Sequence, residues 1–481
     1  MKKEDDFLEE PTKEQENIST ESTTAREQPP RQKKRKKPKW LYICLAISIG
    51  AACFCAGFFT HLLSLDKEFR ELIKVKKKIQ KEYYQDVTDE AFYNAVFQSV
   101  TSAKEAGSCQ SDADFYKAVY KGINDDVLDA YSAYMTEEEY DLMRAQAKGK
   151  QNGIGVYFLS GEQSLKIYRV AGNSAAEEAG LTRGDTILAV GESVDAMQSC
   201  DSRVALSSFL DAMPNGRDFY MQWRTVNGEI KTAPLQKRAY IENYVYYKSN
   251  DSSLGFNGEG NAEKEVGTPL SVLDEDTAYI QIVQFNGNAD AAFNSAMSVF
   301  RRERKKDLVI DLRGNGGGYL DVMQEIAKYF CKTSGENKPV AAIADYGEKT
   351  RKFRATDNVY YDYFLDDSRI MVLADDNTAS ASECLIGCMY AYEVIDYADI
   401  CLVQTADGVA KTYGKGIMQT TFNILGGGAV KLTTAEIFWP TATRYGIHGV
   451  GITQADGTQT VSSSLSYTAQ IEEAISLFYA E

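Results

Sequence analysis

The chain has 481 residues, enough for two to four domains with sizeable cores. Hydrophobic residues make up 44% of the sequence and charged residues 25%, values typical of globular proteins, which excludes a wholly disordered chain. The formal net charge of −16 argues against nucleic-acid binding, because that function favours a basic surface. The sequence contains two histidines, His61 and His448, so metal sites built on several histidines are excluded.

The first 65 residues divide into a polar segment and an apolar segment. Residues 1–40 are rich in Glu, Lys, Thr, Gln and Pro, which predicts a disordered tail. Residues 41–65 carry no formal charge and, as a helix, reach about 37 Å, enough to cross a hydrocarbon core of about 30 Å. This stretch is too long, and its leader too charged, for a cleaved signal peptide, so we expect a single transmembrane anchor.

The charges on both sides of the apolar stretch indicate its orientation. Basic residues before it, mainly in residues 31–39, slightly outnumber those just after it. The positive-inside rule then favours a cytoplasmic N-terminus and an extracytoplasmic bulk at the cell membrane. The lysine-rich stretch from Lys67 to Lys81 has helical spacing, and it is either bound along an anionic membrane surface or a solvated helix face.

The remaining chain changes pattern twice. Residues 66–150 are predicted to be mostly helical, because apolar residues recur every three or four positions without proline, and such helices are able to pair two chains in a homodimer. Residues 151–240 are predicted to form short strands joined by glycine turns. A polar stretch at residues 249–267 is predicted to be a loop or linker. Alternating strands and helices then predict an α/β core within residues 241–481.

Short motifs follow one another in a fixed order along residues 80–460. They are Leu128–Met135, Gly153–Val156, Asp311–Gly318, Ser380–Glu383 and Tyr413–Gln419. Together they resemble the carboxyl-terminal processing proteases, a family of serine peptidases that contain a PDZ domain, and the segment 151–240 resembles that PDZ domain. The resemblance implies an α/β protease core with an inserted PDZ domain, preceded by a helical segment and one transmembrane helix.

Ser380 is the candidate nucleophile. A strand pattern precedes it and a helical pattern begins near Ser382, so Ser380 lies at a strand-to-helix turn, where free backbone N–H groups can bind an oxyanion. A plain helix N-cap is the alternative role, and Ser382 competes for either role. The resemblance selects Ser380 as nucleophile. It also implies that the N–H groups of Gly317 and Ala381 form the oxyanion hole, with Gly318 as an alternative to Gly317.

The serine hydroxyl needs a base, and a lysine can serve when burial lowers its pKa. Lys415 is flanked by uncharged residues, whereas His448 lies in a glycine-rich loop without a neighbouring carboxylate. The resemblance implies that Lys415 is the general base and that Gln419 orients it. Lys411 and His448 are the alternatives. The interval from Ser380 to Lys415 is longer than is usual in the family, which puts the range of substrates in doubt.

The resemblance implies a membrane-anchored serine endopeptidase that cleaves extracytoplasmic proteins by means of Ser380, Lys415 and Gln419. The PDZ domain is expected to capture the C-terminal segment of a protein or peptide substrate through Gly153, Ile154, Gly155 and Val156. No metal, cofactor or nucleic acid is expected. The alternative is a catalytically silent PDZ scaffold that binds protein C-termini at the bacterial cell envelope.

Overall fold

The structure is a computed structural model that describes residues 67–158, 164–259, 264–333, 338–425, 427–443 and 445–480. These residues belong to one compact unit, Lys67–Glu481. The expected disordered tail (1–40) and transmembrane anchor (41–65) lie outside the described residues. Within the described residues, no helix is both long enough and apolar enough to cross a membrane.

The first described elements are helices, as the sequence predicts for residues 66–150. They are α1 (Lys67–Glu82), α2 (Asp89–Glu105), α3 (Asp112–Gly122), which continues as a π turn (Ile123–Val127), and, after strand β1 (Ala133–Met135), α4 (Glu137–Ala147). The side chains of Thr88, Ser111 and Thr136 cap α2, α3 and α4 by accepting hydrogen bonds from backbone N–H groups of the first turn. Apolar residues of these helices, such as Val75 and Phe92, share a core with Val430 and Leu432.

A small β lobe follows over residues 150–241. Its elements are β2 (Lys150–Gly153), β3 (Val156–Tyr157), β4 (Arg169–Val170), α5 (Ala175–Glu178), β5 (Thr186–Gly191), β6 (Gln198–Ser199), α6 (Arg203–Ala212), β7 (Asp218–Arg224), β8 (Ile230–Gln236) and β9 (Arg238–Ile241). Strands pair antiparallel in the order β6-β5-β7-β8, and two further pairs, β3-β4 and β2-β9, complete the lobe. The lobe has a hydrophobic core of its own, built around Leu206, Phe219 and Trp223.

The rest of the chain forms the larger lobe. Its first elements are β10 (Val245–Lys248), β11 (Ser253–Phe256), β12 (Lys264–Glu265), β13 (Thr277–Ile282), α7 (Ala289–Arg302), β14 (Asp307–Asp311), α8 (Leu320–Ala327), β15 (Val340–Asp345), β16 (Thr350–Arg354) and α9 (Tyr360–Tyr363). Its last elements are β17 (Ile370–Ala374), α10 (Ala381–Ala391), β18 (Ile400–Val403), β19 (Ile417–Asn423), β20 (Ala429–Phe438), β21 (Gln459–Val461) and α11 (Tyr467–Ala480).

The large lobe is built on an eight-stranded sheet in the order β12-β11-β10-β13-β14-β17-β18-β21. The strands from β13 to β21 run parallel, and alternate residues face opposite sides. Ile280 and Ile310 pack in the core that also contains residues of α7, α8 and α10, whereas Tyr279 and Val309 pack in the core that contains residues of α11. Helices therefore cover both faces, as a buried parallel sheet requires, and the predicted α/β core is present.

A second sheet joins the N-terminal helices to this core. It has the order β1-β20-β15-β16, with β19 also paired to β20. The expectation of a loop or linker at residues 249–267 is wrong in part, because Ser253–Phe256 and Lys264–Glu265 are edge strands of the main sheet. The four residues of β11 are all buried, and their pairing with β10 outweighs the polar composition that suggested a loop.

Candidate active site

Ser380 lies where strand β17 turns into helix α10, at the carboxyl end of a parallel strand. Its backbone has φ of 59° and ψ of −116°, a left-handed conformation that is uncommon for a residue other than glycine. The carboxylate of Glu383 accepts a hydrogen bond of 2.9 Å from the Ser380 N–H and thereby helps to hold this conformation. The side chain is half-buried. The strand-to-helix turn expected from the sequence is therefore present.

Ser382, the competing serine, is fully buried. Its hydroxyl donates a hydrogen bond of 2.8 Å to the carbonyl oxygen of Asn315 in the glycine loop. Its proton is thus already engaged within the protein, and Ser382 ties α10 to the loop after β14. This arrangement leaves Ser380 as the serine that faces open space.

Ser380, Lys415 and Gln419 line one large cavity with a volume of about 1660 Å³. Elements from distant parts of the chain form its walls, among them α4, the glycine loop, β16, β19 and β20. Neither Lys411 nor His448 is among the residues that line this cavity, and both are exposed. The structure therefore brings the three predicted residues together and leaves both alternative bases outside.

Lys415 follows Gly414, which has a φ of 85° and lies in the tight turn before β19. The Lys415 N–H donates a hydrogen bond of 2.9 Å to Glu383 Oε2, and Nζ lies 4.4 Å from the centre of the Tyr131 ring. Burial lowers the pKa of the Lys415 ammonium below its ordinary value, and the positive charge of Lys431 lowers it further. A lysine in this setting releases its proton more readily than one on the surface.

The described residues contain no hydrogen bond between Lys415 Nζ and the Ser380 hydroxyl. Catalytic hydrogen bonds are often long in the absence of substrate and tighten in the complex, so the shared cavity is the relevant observation. The expected hydrogen bond between Gln419 and Lys415 is also absent from the structure. Gln419 Nε2 instead donates a hydrogen bond of 3.1 Å to Oγ1 of Thr433, its cross-strand neighbour on β20. The pairing of β19 with β20 is irregular between Met418 and Gln419, and this irregularity sets the direction of the Gln419 side chain.

The glycine loop after β14 packs directly against the Ser380 turn. Gly317 has φ of 99°, and a Cβ there would lie 2.7 Å from the Cβ of Ser380 and 2.9 Å from the nitrogen of Ala381. Only glycine permits this approach. The Gly317 N–H, expected in the oxyanion hole, donates instead to Asn315 Oδ1 at 3.0 Å.

The two remaining candidate oxyanion donors are differently placed. Gly318 lines the cavity, and within the described part of the chain its N–H has no hydrogen-bond acceptor. Ala381 is the first residue of α10, a position where the backbone N–H has no partner within the helix. The geometry therefore favours Gly318 over Gly317 as the companion of Ala381.

Three further residues at the site were missed by the sequence analysis. Glu383 and Asn315 are both fully buried and hold the backbone around Ser380, and Tyr131 places its ring on Lys415. Glu383 comes three residues after Ser380, the spacing of a capping box, so a local signal for its contact with the Ser380 N–H existed. No local signal links Tyr131 to Lys415, because 284 positions of sequence separate them.

The predicted peptide-binding segment lies in the β lobe and does not contribute to the cavity. Gly153 ends β2, Val156 begins β3, and Ile154 between them has a buried side chain. Gly155 has φ of 86°, and a Cβ there would lie 2.1 Å from the Cβ of Ser174. The four residues therefore form a tight backbone turn that enters β3, separate from Ser380, Lys415 and Gln419.

Comparison with known proteins gives a consistent result. Residues 276–455 match the model of peptidase family S41. A carboxy-terminal-processing protease of Bartonella bacilliformis is 26% identical over 332 residues, which cover 68% of this chain and 65% of that protein. A probable CtpA-like serine protease of Staphylococcus haemolyticus is 24% identical over 352 residues, which cover 71% of this chain and 60% of that protein. The chain thus spans somewhat under two thirds of the length of these relatives.

Among solved structures, a photosystem II D1 C-terminal processing protease is 18% identical with a TM-score of 0.49, over 83% of this chain and 94% of that one. The matched residues 276–455 include the glycine loop, Ser380, Lys415 and Gln419. Residues 276–455 therefore form a peptidase family S41 domain, and the chain is similar to carboxy-terminal-processing and CtpA-like serine proteases.

Proposed function

We propose that this chain is a membrane-anchored serine endopeptidase in which Ser380 is the nucleophile and Lys415 the general base. The observation that carries the proposal is that both side chains line one cavity in which burial lowers the pKa of Lys415. A neutral amine at that position can remove a proton from the Ser380 hydroxyl. The match of residues 276–455 to peptidase family S41 supports the same reaction class.

In the proposed reaction, Ser380 Oγ attacks the carbonyl carbon of a peptide bond while Lys415 Nζ accepts the hydroxyl proton. The carbonyl oxygen becomes negative and accepts hydrogen bonds from the Ala381 and Gly318 N–H groups. Lys415 then gives its proton to the leaving amine, and an acyl-enzyme remains. Water then attacks the carbonyl carbon of this ester while Lys415 Nζ accepts a proton from it. Lys415 gives that proton to Ser380 Oγ as the ester bond breaks, which releases the acid and restores both residues. Gln419 lines the same cavity, where its amide donates a hydrogen bond to Thr433 rather than to Lys415.

The test uses the full chain in detergent with an unstructured protein such as casein as substrate. Ser380→Ala is expected to lower kcat by at least about 10⁴-fold, because the covalent step is lost. Lys415→Ala is expected to be comparably inactive. Cleavage that persists in the Ser380→Ala variant contradicts the choice of nucleophile. Activity that survives in Lys415→Ala contradicts the choice of base. Lys411→Ala, an exposed lysine outside the cavity, is the matched control and should keep wild-type activity.

We further propose that the β lobe is a PDZ domain that captures the C-terminal segment of a substrate. Two features support this: the Gly153–Val156 turn enters β3, and the guanidinium of Arg203, the first residue of α6, lies 5.0 Å from the centre of the Phe158 ring just after β3. A peptide strand could add to β3 beside α6, with its carboxylate at the turn. The alternative is a silent scaffold, which predicts binding of C-termini without cleavage.

A binding measurement tests the capture of C-termini without the complication of cleavage. The Ser380→Ala full chain is titrated into a fluorescent peptide with either a free or an amidated C-terminus. A free carboxylate is expected to strengthen binding by at least about tenfold, since hydrogen bonds to a charged group contribute about 1.5–3 kcal/mol. Equal affinity for both peptides contradicts recognition of the C-terminus. If the wild-type chain binds the free C-terminus but cleaves no protein substrate, the result supports the silent scaffold.

We also propose a location, with residues 41–65 as a single membrane span and the protease part outside the cytoplasm. The support is the length and apolarity of this stretch and the basic run before it. In bacterial cells that express the full chain, the protein should stay in carbonate-washed membranes. Proteinase added to spheroplasts should degrade the protease part. Resistance to added proteinase contradicts this orientation.

Pairing of two chains through α1–α4 also stays a prediction, and sedimentation in detergent tests it.

A further inference from the structure

Glu383 connects the two elements that carry the nucleophile and the base. It lies in the first turn of α10, and its side chain has no exposure to solvent. Oxygen Oε2 accepts hydrogen bonds of 2.9 Å from the Ser380 N–H and 2.9 Å from the Lys415 N–H. Oxygen Oε1 accepts hydrogen bonds of 2.8 Å from the Gly414 N–H and 2.6 Å from the Thr412 hydroxyl. One carboxylate thus receives four donors, one from the nucleophile turn and three from the loop before β19.

We propose that Glu383 is a positioning residue for the Ser380–Lys415 pair: its carboxylate fixes the backbone of the nucleophile relative to the backbone of the base. This inference rests on the proposed function. Ser380 has a backbone conformation that residues other than glycine rarely adopt, so it needs a partner that holds it. Lys415 follows a glycine turn, which by itself permits several conformations. Glu383 Oε2 accepts a hydrogen bond from each of these two residues, which restricts the backbone of both Ser380 and Lys415.

The site is built for a carboxylate rather than for an amide. Four donors converge on two oxygens, and the N-terminus of α10 adds a positive partial charge. Burial raises the pKa of Glu383 above its ordinary value, and the hydrogen bonds from Thr412, Lys415, Gly414 and Ser380 offset part of this rise. A glutamine has a similar size, but its NH₂ group would face two of these donors. Such a replacement leaves buried donors without acceptors.

The charge of Glu383 also acts on Lys415. Among the groups around the Lys415 ammonium, Lys431 repels its charge, whereas Asp129 and Glu383 attract it. The Tyr131 ring also favours the charged form. Removal of the Glu383 charge takes away one of these attractions, so the Lys415 pKa should fall. A group that only holds the fold together has no such effect on the pH dependence.

The decisive variant is Glu383→Gln, with Glu71→Gln as the matched control. Glu71 is also a buried carboxylate that accepts a backbone N–H (Gly428) and a hydroxyl (Tyr134), but it does not line the cavity. Glu383→Gln should lower kcat about 10- to 100-fold with KM changed by less than about twofold. Glu71→Gln should leave both constants near those of the wild type. Equal effects in the two variants overturn the proposal.

The pH profile separates positioning from simple loss of structure. The acid limb of kcat/KM, where Lys415 loses its proton, should move to lower pH in Glu383→Gln and stay in place in Glu71→Gln. An unshifted limb together with wild-type kcat overturns the proposal. Circular dichroism and urea unfolding show whether each variant is folded.

A second variant covers the case in which Glu383→Gln does not fold. Thr412→Val removes one donor to Glu383 and keeps the three backbone N–H donors. It should lower kcat about tenfold with unchanged KM. Wild-type kcat in a folded Thr412→Val overturns the proposal. Failure of the proposed function is recognised separately, because it appears as activity that survives in Ser380→Ala.

Discussion

The chemistry of Lys415 depends on a balance among its neighbours. Burial and Lys431 lower its pKa, while Asp129, Glu383 and the ring of Tyr131 favour its charged form. A lysine that is neutral near the working pH requires the pKa-lowering effects of burial and Lys431 to exceed the effects that favour its charged form. Lys431 reaches this position because strand β20 pairs with β19 just beyond Lys415.

Lys431→Gln tests this balance through the pH dependence of cleavage. Loss of the positive charge removes repulsion, so the pKa of Lys415 should rise. In the proposed mechanism the neutral amine is the active form, so the acid limb of kcat/KM should then move to higher pH by a few tenths of a unit. Lys352→Gln, an exposed lysine on β16 outside the cavity, should leave the limb unchanged. A shift to lower pH contradicts the assignment of Lys415 as base.

Helix α10 shows how an element places a residue at the site. Its residues Ala381–Met389 are all buried, so the helix is fixed by contacts all round rather than along one stripe. Gly387 lies against the indole of Trp439, where a Cβ would come within 2.2 Å of three ring atoms. The close approach of α10 to Trp439, the residue after β20, therefore depends on the absence of a side chain at this position.

Gly387→Ala should destabilise the protein by about 1–3 kcal/mol, since a buried indole cannot move away from the added methyl group. Urea unfolding measures the effect as a lower midpoint. Gly316→Ala is the control for stability alone, because a Cβ at Gly316 meets no atom within 4 Å. Equal midpoints for the two variants contradict the packing argument.

At the scale of the whole molecule, a buried ion pair joins the sheet to the C-terminal helix. The guanidinium of Arg313 donates hydrogen bonds of 2.6 Å to Asp311 Oδ2, 3.1 Å to the carbonyl oxygen of Tyr467 and 2.7 Å to Gln470 Oε1. Tyr279 donates to the same Asp311 oxygen at 2.6 Å. The pair follows β14 directly and precedes the glycine loop, so it fixes the loop that approaches Ser380 as well as α11.

Arg313→Met should lower the free energy of unfolding by about 3–5 kcal/mol, because it leaves the Asp311 charge buried without its partner. The measurement is urea unfolding of the full chain in detergent. Arg301→Met, an exposed arginine on α7, should change stability by less than about 0.5 kcal/mol. A similarly small effect of Arg313→Met indicates that the ion pair is not needed to hold α11.

Much of the architecture could be predicted from local patterns. The strand and helix that flank Ser380 are visible in the apolar pattern of residues 369–391, and the helices of residues 66–150 in their spacing. Strand β11 could not be predicted in this way, because it is only four residues long within the polar stretch 249–267 and is held as a strand by its pairing with β10. Uncharged neighbours are the local signal for Lys415, but its role came from the family resemblance, as did Gln419, which no local pattern distinguishes from a surface residue.

The sequence by itself determined the α/β core through its periodic patterns. Its short motifs, through the family resemblance, predicted the reaction class and the residue types of the candidate site. The tertiary structure decided which groups meet. It turned the Gln419 amide to Thr433, engaged the Gly317 N–H with Asn315, and placed Glu383 between Ser380 and Lys415. These contacts join residues on separate strands and loops, and their geometry depends on how the sheets pair and pack rather than on any single stretch of chain.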